Sequence, residues 1–187
     1  MKTNLMPAIR LTLATLVLFC VVYPGIVWAI AQLAPNSGKG EVIISGDKKY
    51  YANIGQVFTE DKYFNSRPSA VDYNSAGSGG SNKGPSNPEY LAVVQARIDT
   101  FLVHNPGVAK EDIPVEMVTA SASGLDPHIS EQAALIQAER IAQVRGISKT
   151  AITDLIGKNT EGALLGIFGP SSRVNVLKLN LALDALK

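Results

Sequence analysis

The stretch TASASGLDPHIS, residues 119–130, gathers the side chains of this sequence that are best suited to chemistry. Ser121 and Ser123 are potential nucleophiles, and Asp126 and His128 are a potential acid and base a few positions away. A catalytic serine needs a histidine and a carboxylate in a defined spatial arrangement, which partners this close in sequence seldom reach. The sequence also lacks the G-x-S-x-G turn that exposes the nucleophile of many hydrolases.

A metal site and the entry to a helix are the two other interpretations of this stretch. Asp126 and His128 supply two ligands, and His104 is the only other histidine of the chain, whereas a zinc site takes three or four protein ligands. Ser130 followed by Glu131 is typical of a helix N-cap and first turn. The sequence therefore favours helix entry, with no catalytic residue and no metal ligand.

A long segment rich in Gly, Ser, Asn and Pro, residues 63–88, precedes this stretch. Its GSGGSNKGPS part resembles a phosphate loop only superficially, because Lys83 is followed by Gly84 rather than by Ser or Thr. Irregular segments of this length are usually functional or disordered. We expect an ordered turn or a partner-binding loop rather than a phosphate site.

Arg67 precedes Pro68 in this segment, which favours an extended backbone at the arginine. Two roles stay open for its side chain. The guanidinium is suited to binding a carboxylate or the backbone of a partner protein. It is equally suited to binding carbonyl groups of its own loop.

The elements around these loops predict an α+β domain. Residues 41–58 predict two short strands around the turn at Gly46, and Asn87 with Pro88 predicts the start of a helix that ends at the sequence HNPG. The apolar stripe of this helix is Leu91, Val94, Ile98, Phe101 and Leu102. Residues 114–122 are expected to be extended.

The C-terminal part predicts two more helices and a strand. One helix is expected from Ser130 to Arg145, with Gly146 as its stop. Ser148 is expected to cap the next helix. The alternating sequence RVNVLKLNL, residues 173–181, is expected to be a strand, although its alternation slips near Leu177.

An uncharged apolar run from Leu11 to Ala34 stands at the N-terminus. Its 24 residues are enough to cross about 30 Å of hydrocarbon as a helix. A signal peptide cleaved after Ala29-Ile30-Ala31 is the alternative. The length of the run, with Trp28 near its end, favours a retained anchor. The residues expected to hold this anchor in the membrane are Leu11, Leu18, Val22 and Trp28.

Three segments are expected from this organisation: an anchor at 1–34, a linker at 35–40 and an extracytoplasmic domain at 41–187. Only Lys2 and Arg10 precede the run, so 15 of the 17 basic residues and all 16 acidic residues follow it, for a formal net charge of −1. That charge gives no indication of nucleic-acid binding.

Five motifs occur in this order behind the single apolar run: YFNSRPSA, GSGGSNKGPSNP, VTASASGLDPHIS, QAERIAQVRG and RVNVLKLNLAL. Together they resemble the C subunit (KdpC family) of the Kdp-type high-affinity potassium-transporting P-type ATPase of bacteria and archaea. The resemblance covers nearly the whole chain. One departure is Ala122, where the family usually has glycine.

The resemblance implies a non-catalytic, single-pass subunit of the bacterial plasma (inner) membrane, with a cytoplasmic N-terminus and a periplasmic domain. The implied partners are a channel-like potassium-translocating A subunit, an ATP-hydrolysing B subunit, a small one-span F subunit and membrane lipid, with no nucleic acid. ATP with magnesium and K⁺ are expected to act on the partner subunits, and no cofactor is expected on this chain. The family is described as a catalytic chaperone that raises the ATP affinity of the complex. Since nucleotide binds on the cytoplasmic side, coupling from the outer face is the easier route.

The resemblance also implies interface or structural roles for residues of its motifs. These residues are Arg67, Pro68, Asn82, Gly84, Asn87, Ser123, Gly124, Asp126 and His128. The alternative function is a secreted, signal-cleaved hydrolase or binding protein that uses Ser121 or Ser123 with Asp126 and His128.

Overall fold

The structure, a computed structural model, describes residues 2–163, 165–169 and 172–186. It divides into two compact units, residues 1–42 and residues 43–187. It is a mixed helix and sheet fold behind one N-terminal apolar helix, which confirms the predicted fold class.

The first unit is mainly one long helix. It consists of α1 (Lys2–Val17), a π-helical turn (Leu18–Val22) and α2 (Tyr23–Ala31). The wider π turn lies just before Pro24, which has no N–H to donate to the helical ladder. The part from Asn4 to Ala31 is long and apolar enough to cross a membrane, and none of its apolar window is buried.

The predicted anchor residues all lie in this long helix. Their side chains are exposed: Leu11, Leu18, Val22 and Trp28. Because a helix satisfies its backbone hydrogen bonds internally, this 28-residue helix is suited by length and composition to cross a membrane.

The predicted hairpin is confirmed at the start of the second unit. Strand β1 (Val42–Ser45) pairs with β2 (Lys48–Tyr51). Gly46 between them has a φ of 57°, a left-handed conformation that glycine adopts without steric cost.

Helix α3 (Pro88–His104) begins and ends where the sequence predicts. The side chain of Asn87 accepts a hydrogen bond from the Tyr90 N–H at 3.0 Å and so caps the helix. Phe101 is its only buried residue, while Leu91 of the predicted apolar stripe is exposed. The predicted apolar stripe is thus buried only in part, because α3 lies at the margin of the core.

The prediction of an extended segment at 114–122 is wrong at its start. Residues Val115–Met117 form a 3₁₀ turn, which follows another at Lys110–Asp112. The N–H and the hydroxyl of Thr119 both donate to the Val115 carbonyl, which keeps the chain turned.

The single helix expected from Ser130 to Arg145 is in fact two, α4 (Glu131–Leu135) and α5 (Ala138–Arg145). The cause lies at Gln137, whose side-chain Nε2 donates to the Ala133 carbonyl at 2.9 Å. The Gln137 N–H bonds the next carbonyl, that of Ala134, so the helical ladder is interrupted there.

The ends of these helices follow the predicted caps. Ser130 accepts from the Ala133 N–H at the start of α4, and Gly146 ends α5 with a φ of 65°. Ser148 accepts from the Ala151 N–H at the start of α6 (Lys149–Asn159).

A small antiparallel sheet has the strand order β3–β5–β4. The strands are β3 (His128–Ile129), β4 (Thr160–Glu161) and β5 (Arg173–Asn175). Val174 of the central strand is fully buried. The sheet therefore joins the end of the SGLDPHIS motif to the C-terminal motif.

The strand predicted at 173–181 is wrong beyond Asn175. Residues Val176–Ala185 form helix α7, because the Asn175 side chain accepts from the Lys178 N–H at 3.1 Å and caps it. Leu179 and Leu183, four positions apart on one helical face, are fully buried. The alternation of apolar and polar residues breaks near Leu177, where the two-residue period of a strand gives way to the period of a helix.

The core lies among α4, α5, α6, α7 and β5. It includes fully buried side chains from every one of these elements and from the loop before α3: Phe64, Ala134, Ile141, Ile152, Ile156, Val174, Leu179 and Leu183. Phe64 and Ile129 of this core stand directly beside the loops that carry the predicted site residues.

Candidate functional site

The two irregular segments that carry most of the predicted site residues are hydrogen-bonded to each other. The Ser121 N–H donates to the Pro68 carbonyl at 3.1 Å, and the Gly79 N–H donates to the Ser123 carbonyl at 2.9 Å. These backbone bonds fix the first segment at Pro68 and at Gly79. We call residues 66–84 and 121–128 together the loop surface.

Side-chain hydroxyls add to this attachment. Ser69 Oγ donates to the Gly124 carbonyl at 2.7 Å and accepts from two N–H groups of its own turn, those of Val71 and Tyr73. Ser78 Oγ donates to the Ser123 carbonyl at 3.0 Å. Ser69 of the motif YFNSRPSA and Ser78 of the motif GSGGSNKGPSNP thus both hold the loop in place.

Gly124 allows the two segments to approach closely. It has a φ of 68°, and a Cβ added there would lie 2.5 Å from Val71 Cγ2 and 2.8 Å from the Gly79 carbonyl oxygen. Neither distance is tolerable for a real Cβ, and the backbone conformation is itself unfavourable for other residues. The glycine of the SGLDPHIS motif is therefore needed for packing.

Asp126 is the centre of a small charged cluster in this surface. One carboxylate oxygen, Oδ2, accepts from Arg67 Nη1 at 3.0 Å. The other, Oδ1, accepts from the His128 N–H at 3.0 Å and lies 3.4 Å from His128 Nδ1. The structure thus brings together three of the predicted site residues, all of them half-buried.

The pKa of Asp126 lies below its ordinary value. Burial by itself raises the pKa of this carboxyl, but the side chain and backbone N–H of His128 and the charge of Arg67 outweigh it. The carboxylate is consequently ionised and hydrogen-bonded at neutral pH. Both of its oxygens accept hydrogen bonds within the loop surface.

Arg67 keeps unused donor capacity. Its Nη1 bonds Asp126, and its Nε is buried with no hydrogen-bond partner among the described residues. The side chain still exposes about a quarter of its surface. A cavity of about 550 Å³ beside it is also lined by Asn53 and Ile54.

The serine-hydrolase arrangement is not formed here. Ser121 is buried, and the hydroxyl of Ser123 accepts from the Leu125 N–H at 3.1 Å. Within the described stretch 119–130, no hydrogen bond joins either serine to His128. The described residues also contain no cluster of ligands that could hold a metal ion.

The remaining predicted site residues lie near the start of α3. Asn82 has a φ of 52° and is exposed, and so is Gly84, whose carbonyl accepts from the Asn87 N–H at 3.1 Å. Lys83 between them forms an exposed ion pair with Glu89 at 3.0 Å. Asn87 is the helix cap, whereas Asn82 and Gly84 face solvent.

A second polar cluster surrounds the buried guanidinium of Arg140. Its Nη2 donates to Asn65 Oδ1 at 3.0 Å and to Gln137 Oε1 at 2.9 Å, and its Nε donates to Asn105 Oδ1 at 3.0 Å. Its Nη1 donates to the Asp61 carbonyl. Burial lowers the pKa of Arg140, and the nearby Asp61 carboxylate opposes this effect.

This second cluster holds the YFNSR motif against the core. Gln137 Oε1 also accepts from the Asn65 N–H at 2.8 Å, and Arg145 Nε donates to the Lys62 carbonyl at 2.8 Å. The side chains of the motif QAERIAQVRG therefore bind the backbone and side chains of another motif. Asn65 is the residue that joins the two.

A comparison with protein families shows to which family this chain belongs. The family model described as "KdpC: K+-transporting ATPase, c chain" matches residues 5–185. The chain belongs to this family. The match includes the N-terminal helix, the loop surface and the polar cluster around Arg140.

Similar proteins have the same extent as this chain. A potassium-transporting ATPase KdpC subunit of Flavobacterium johnsoniae is 54% identical over 98% of this chain and 99% of its own length. One of Bacteroides fragilis strain ATCC 25285 is 53% identical over 100% of this chain and 99% of its own. One of Caldanaerobacter subterraneus subsp. tengcongensis is 46% identical over 94% and 91%.

The structure gives roles to several buried residues that the sequence did not reveal. Gln137, Arg140 and Asn180 are buried polar residues that hold the 61–66 segment. The motifs that contain these residues were recognised in the sequence, but no role was predicted for these side chains. For Asn180 a signal was present in the sequence, because this polar residue stands within the largely apolar stretch VLKLNLAL.

Proposed function

We propose that this chain is a non-catalytic accessory subunit of an ATP-driven, high-affinity potassium uptake complex. Its family membership and the names of its relatives support a place in a potassium-transporting ATPase. The proposed partners are a channel-like A subunit, an ATP-hydrolysing B subunit and a small one-span F subunit. The chain contributes binding surface rather than chemistry, which agrees with the structural use of Asp126 and His128.

The N-terminal helix anchors the chain in the plasma membrane with its N-terminus in the cytoplasm. Lys2 and Arg10 precede the apolar run, and basic residues favour the cytoplasmic side. A long following domain is translocated largely regardless of its charge. The second unit then lies on the outer face, in the periplasm of a cell with two membranes.

The loop surface is the proposed docking site for the potassium-translocating subunit. One observation carries this assignment: the loop contains no helix or strand from residue 66 to residue 84, yet backbone hydrogen bonds to Pro68 and Gly79 fix it. A loop that is already ordered loses little conformational entropy when it binds a partner. Arg67 has donors left for an acceptor on that partner.

The chain raises the ATP affinity of the complex by stabilising one conformation of its partners. ATP, magnesium and K⁺ act on the partner subunits, and the second unit lies across the membrane from nucleotide. A subunit that binds one conformational state more tightly changes the affinity for nucleotide by the same free energy of coupling. Contact between this chain and nucleotide is not required.

Intact mass spectrometry of a C-terminally tagged copy, purified with its partners from detergent-solubilised membranes, tests the assignment. We expect the full-length mass of this chain together with a large P-type ATPase chain and a large multi-span chain. A mass that lacks the first 31 residues, with no partner, would contradict both the anchor and the complex.

Substitutions in the loop surface test the docking site. We expect Lys83→Glu to reduce co-purification of the multi-span chain about tenfold, because it reverses the charge at the exposed end of the loop. Lys110→Glu, an exposed charge reversal outside the loop surface, is the matched control and should co-purify normally. Equal recovery of partners in both variants would rule out docking through this end of the loop.

A further inference from the structure

The connection between β4 and β5 exposes a group of large apolar side chains. Leu165 is 80% exposed, Ile167 is 78% exposed and Phe168 is 62% exposed. Among the described residues after the N-terminal helix, no other four consecutive positions expose three such side chains. We call residues 162–163 and 165–169 together the apolar loop.

The apolar loop is held at its base and has no charge. Its flanking strands pair with each other, with Glu161 opposite Arg173, and the Gly166 N–H donates to the Ala163 carbonyl at 3.0 Å. The sequence from 162 to 172, GALLGIFGPSS, contains no ionisable residue. The hairpin therefore presents an uncharged, apolar tip to its surroundings.

Basic residues surround the base of this hairpin. Arg173 Nε lies 3.2 Å from one oxygen of Glu161, and Lys178 Nζ lies 3.5 Å from the other. Lys158, at the end of α6, is exposed. Residues 158–178 thus carry three basic groups and one acidic group, although all residues after the anchor together have a formal charge of −1.

An apolar tip with an aromatic residue above a basic base is the pattern of segments that enter a membrane interface. The apolar side chains reach the boundary between headgroups and acyl chains, and the basic groups lie near lipid phosphates. A polar protein surface offers no such environment for the tip. Large exposed apolar groups indicate a contact surface for another molecule.

The anchor of the same chain keeps a bilayer within reach. Only residues 32–41 separate α2 from β1, and a segment of ten residues extends at most about 35 Å. Because the chain is tethered to the bilayer, insertion of the loop is an intramolecular event. Even a loop that inserts weakly therefore spends much of its time in the bilayer.

We propose that the apolar loop inserts into the interface of the membrane that holds the N-terminal helix, as a second attachment of this chain to lipid. Leu165, Ile167 and Phe168 enter the acyl boundary, and Lys158, Arg173 and Lys178 face phosphate groups. This contact is independent of the loop surface proposed for docking.

A single-tryptophan chain tests this contact, since Trp28 is the only tryptophan of the sequence. Full-length Trp28→Phe/Phe168→Trp is reconstituted in vesicles of phosphatidylethanolamine and phosphatidylglycerol, with or without brominated acyl chains. We expect brominated lipid to reduce its emission about twofold, because the bromines quench only a fluorophore that reaches the acyl region. Trp28→Phe/Ile167→Trp should behave in the same way.

The matched control is Trp28→Phe/Val103→Trp, which places the reporter at a 77% exposed apolar position of α3. It should show water-like emission that brominated lipid leaves unchanged. Water-like, unquenched emission from both residue 167 and residue 168 would overturn the proposal. So would equal quenching at residue 103, since it would show non-specific contact of the whole unit with lipid.

Photo-crosslinking in the purified complex distinguishes lipid from a protein partner. A benzophenone amino acid replaces Phe168 in the tagged chain, and the irradiated complex is separated by denaturing electrophoresis. We expect adducts of lipid mass on this chain. A covalent adduct between this chain and another subunit as the main product would overturn the proposal and show that a protein pocket covers the apolar loop.

Discussion

The side chain of Asn180 bonds both backbone groups of Phe64. Its Oδ1 accepts from the Phe64 N–H at 2.9 Å, and its Nδ2 donates to the Phe64 carbonyl at 2.9 Å. Both residues are almost completely buried, and 116 positions separate them in sequence. The Asn180 side chain, which comes from helix α7, thus gives the Phe64 backbone the two hydrogen bonds that a neighbouring strand would otherwise provide.

Replacing Asn180 by leucine should strongly destabilise the fold. The side chain keeps nearly the same size, but the buried N–H and carbonyl of Phe64 lose their partners, at a cost of about 3 kcal/mol in the free energy of unfolding. Thermal unfolding of the full-length chain in detergent, followed by circular dichroism, measures the change. The exposed Asn53→Leu is the control, and a similar midpoint for both variants would contradict the prediction.

Arg140→Met should also destabilise the fold, by about 3 kcal/mol, because it removes a buried charge from several hydrogen bonds at once. Residues 61–66, which Arg140 holds, should be the first to unfold locally in this variant. Urea unfolding measures the total, and limited proteolysis measures the exposure of the segment. Lys149→Met removes a mostly exposed ion pair and should change stability by less than about 0.5 kcal/mol.

The contribution of Asp126 to stability should depend on pH in a defined direction. Its folded pKa lies below the ordinary value of 3.8, so the ionised carboxylate stabilises the fold above that pH. This contribution is lost as the pH falls below 3.8 towards the folded pKa. We expect Asp126→Asn to be less stable than the parent at pH 7, by about 1 kcal/mol after allowance for partial exposure.

The difference between the two proteins should shrink as the pH falls below 3.8, because the parent carboxyl becomes neutral first in the unfolded chain and then, at the lower folded pKa, in the fold. Urea unfolding at several pH values between 3 and 7 gives the difference directly. A difference that stays constant over this range would show that the charge of Asp126 contributes nothing to folding.

The caps and turns of this fold could be predicted from the sequence because they depend on local chemistry. Asn87, Ser130 and Ser148 accept hydrogen bonds from N–H groups three positions ahead, and Gly146 stops α5. Each of these features needs only a few neighbouring residues. The hairpin at Gly46 belongs to the same class.

The secondary structure predicted from the sequence was wrong where contacts between distant residues override the local sequence pattern. Gln137 interrupts a helix that its neighbours favour, and the same side chain accepts from the Asn65 N–H. Asn175 begins a helix within an alternating sequence, and its Nδ2 donates to the Ala52 carbonyl at 2.6 Å. Neither partner can be recognised from the sequence around these residues.

The candidate site divides in the same way. The sequence singled out Arg67, Asp126 and His128, but left open whether each binds within the chain or a partner. The structure joins the three to one another, with Asp126 as the common acceptor. Pairing of residues 59 positions apart follows from the packing of two loops rather than from any local signal.

That packing leads to a prediction for Gly124 and Gly84, two glycines of the loop surface. Gly124→Ala should destabilise the fold by about 2 kcal/mol or more, since its Cβ would overlap Val71 and the Gly79 carbonyl at a positive φ. A Cβ at Gly84 would meet no heavy atom within 4 Å, so Gly84→Ala is the matched control. Thermal unfolding and proteolysis of residues 66–84 measure the effects.

The two alanine variants also separate folding from docking. Gly124→Ala should release the 66–84 loop to protease and reduce co-purification of partners, because the ordered surface is lost with the packing. Gly84→Ala should leave the loop protected, and any loss of partners in that variant would come from the docking surface itself. Equal protease resistance in both variants would show that the close approach of the two loops at Gly124 does not hold the surface in place.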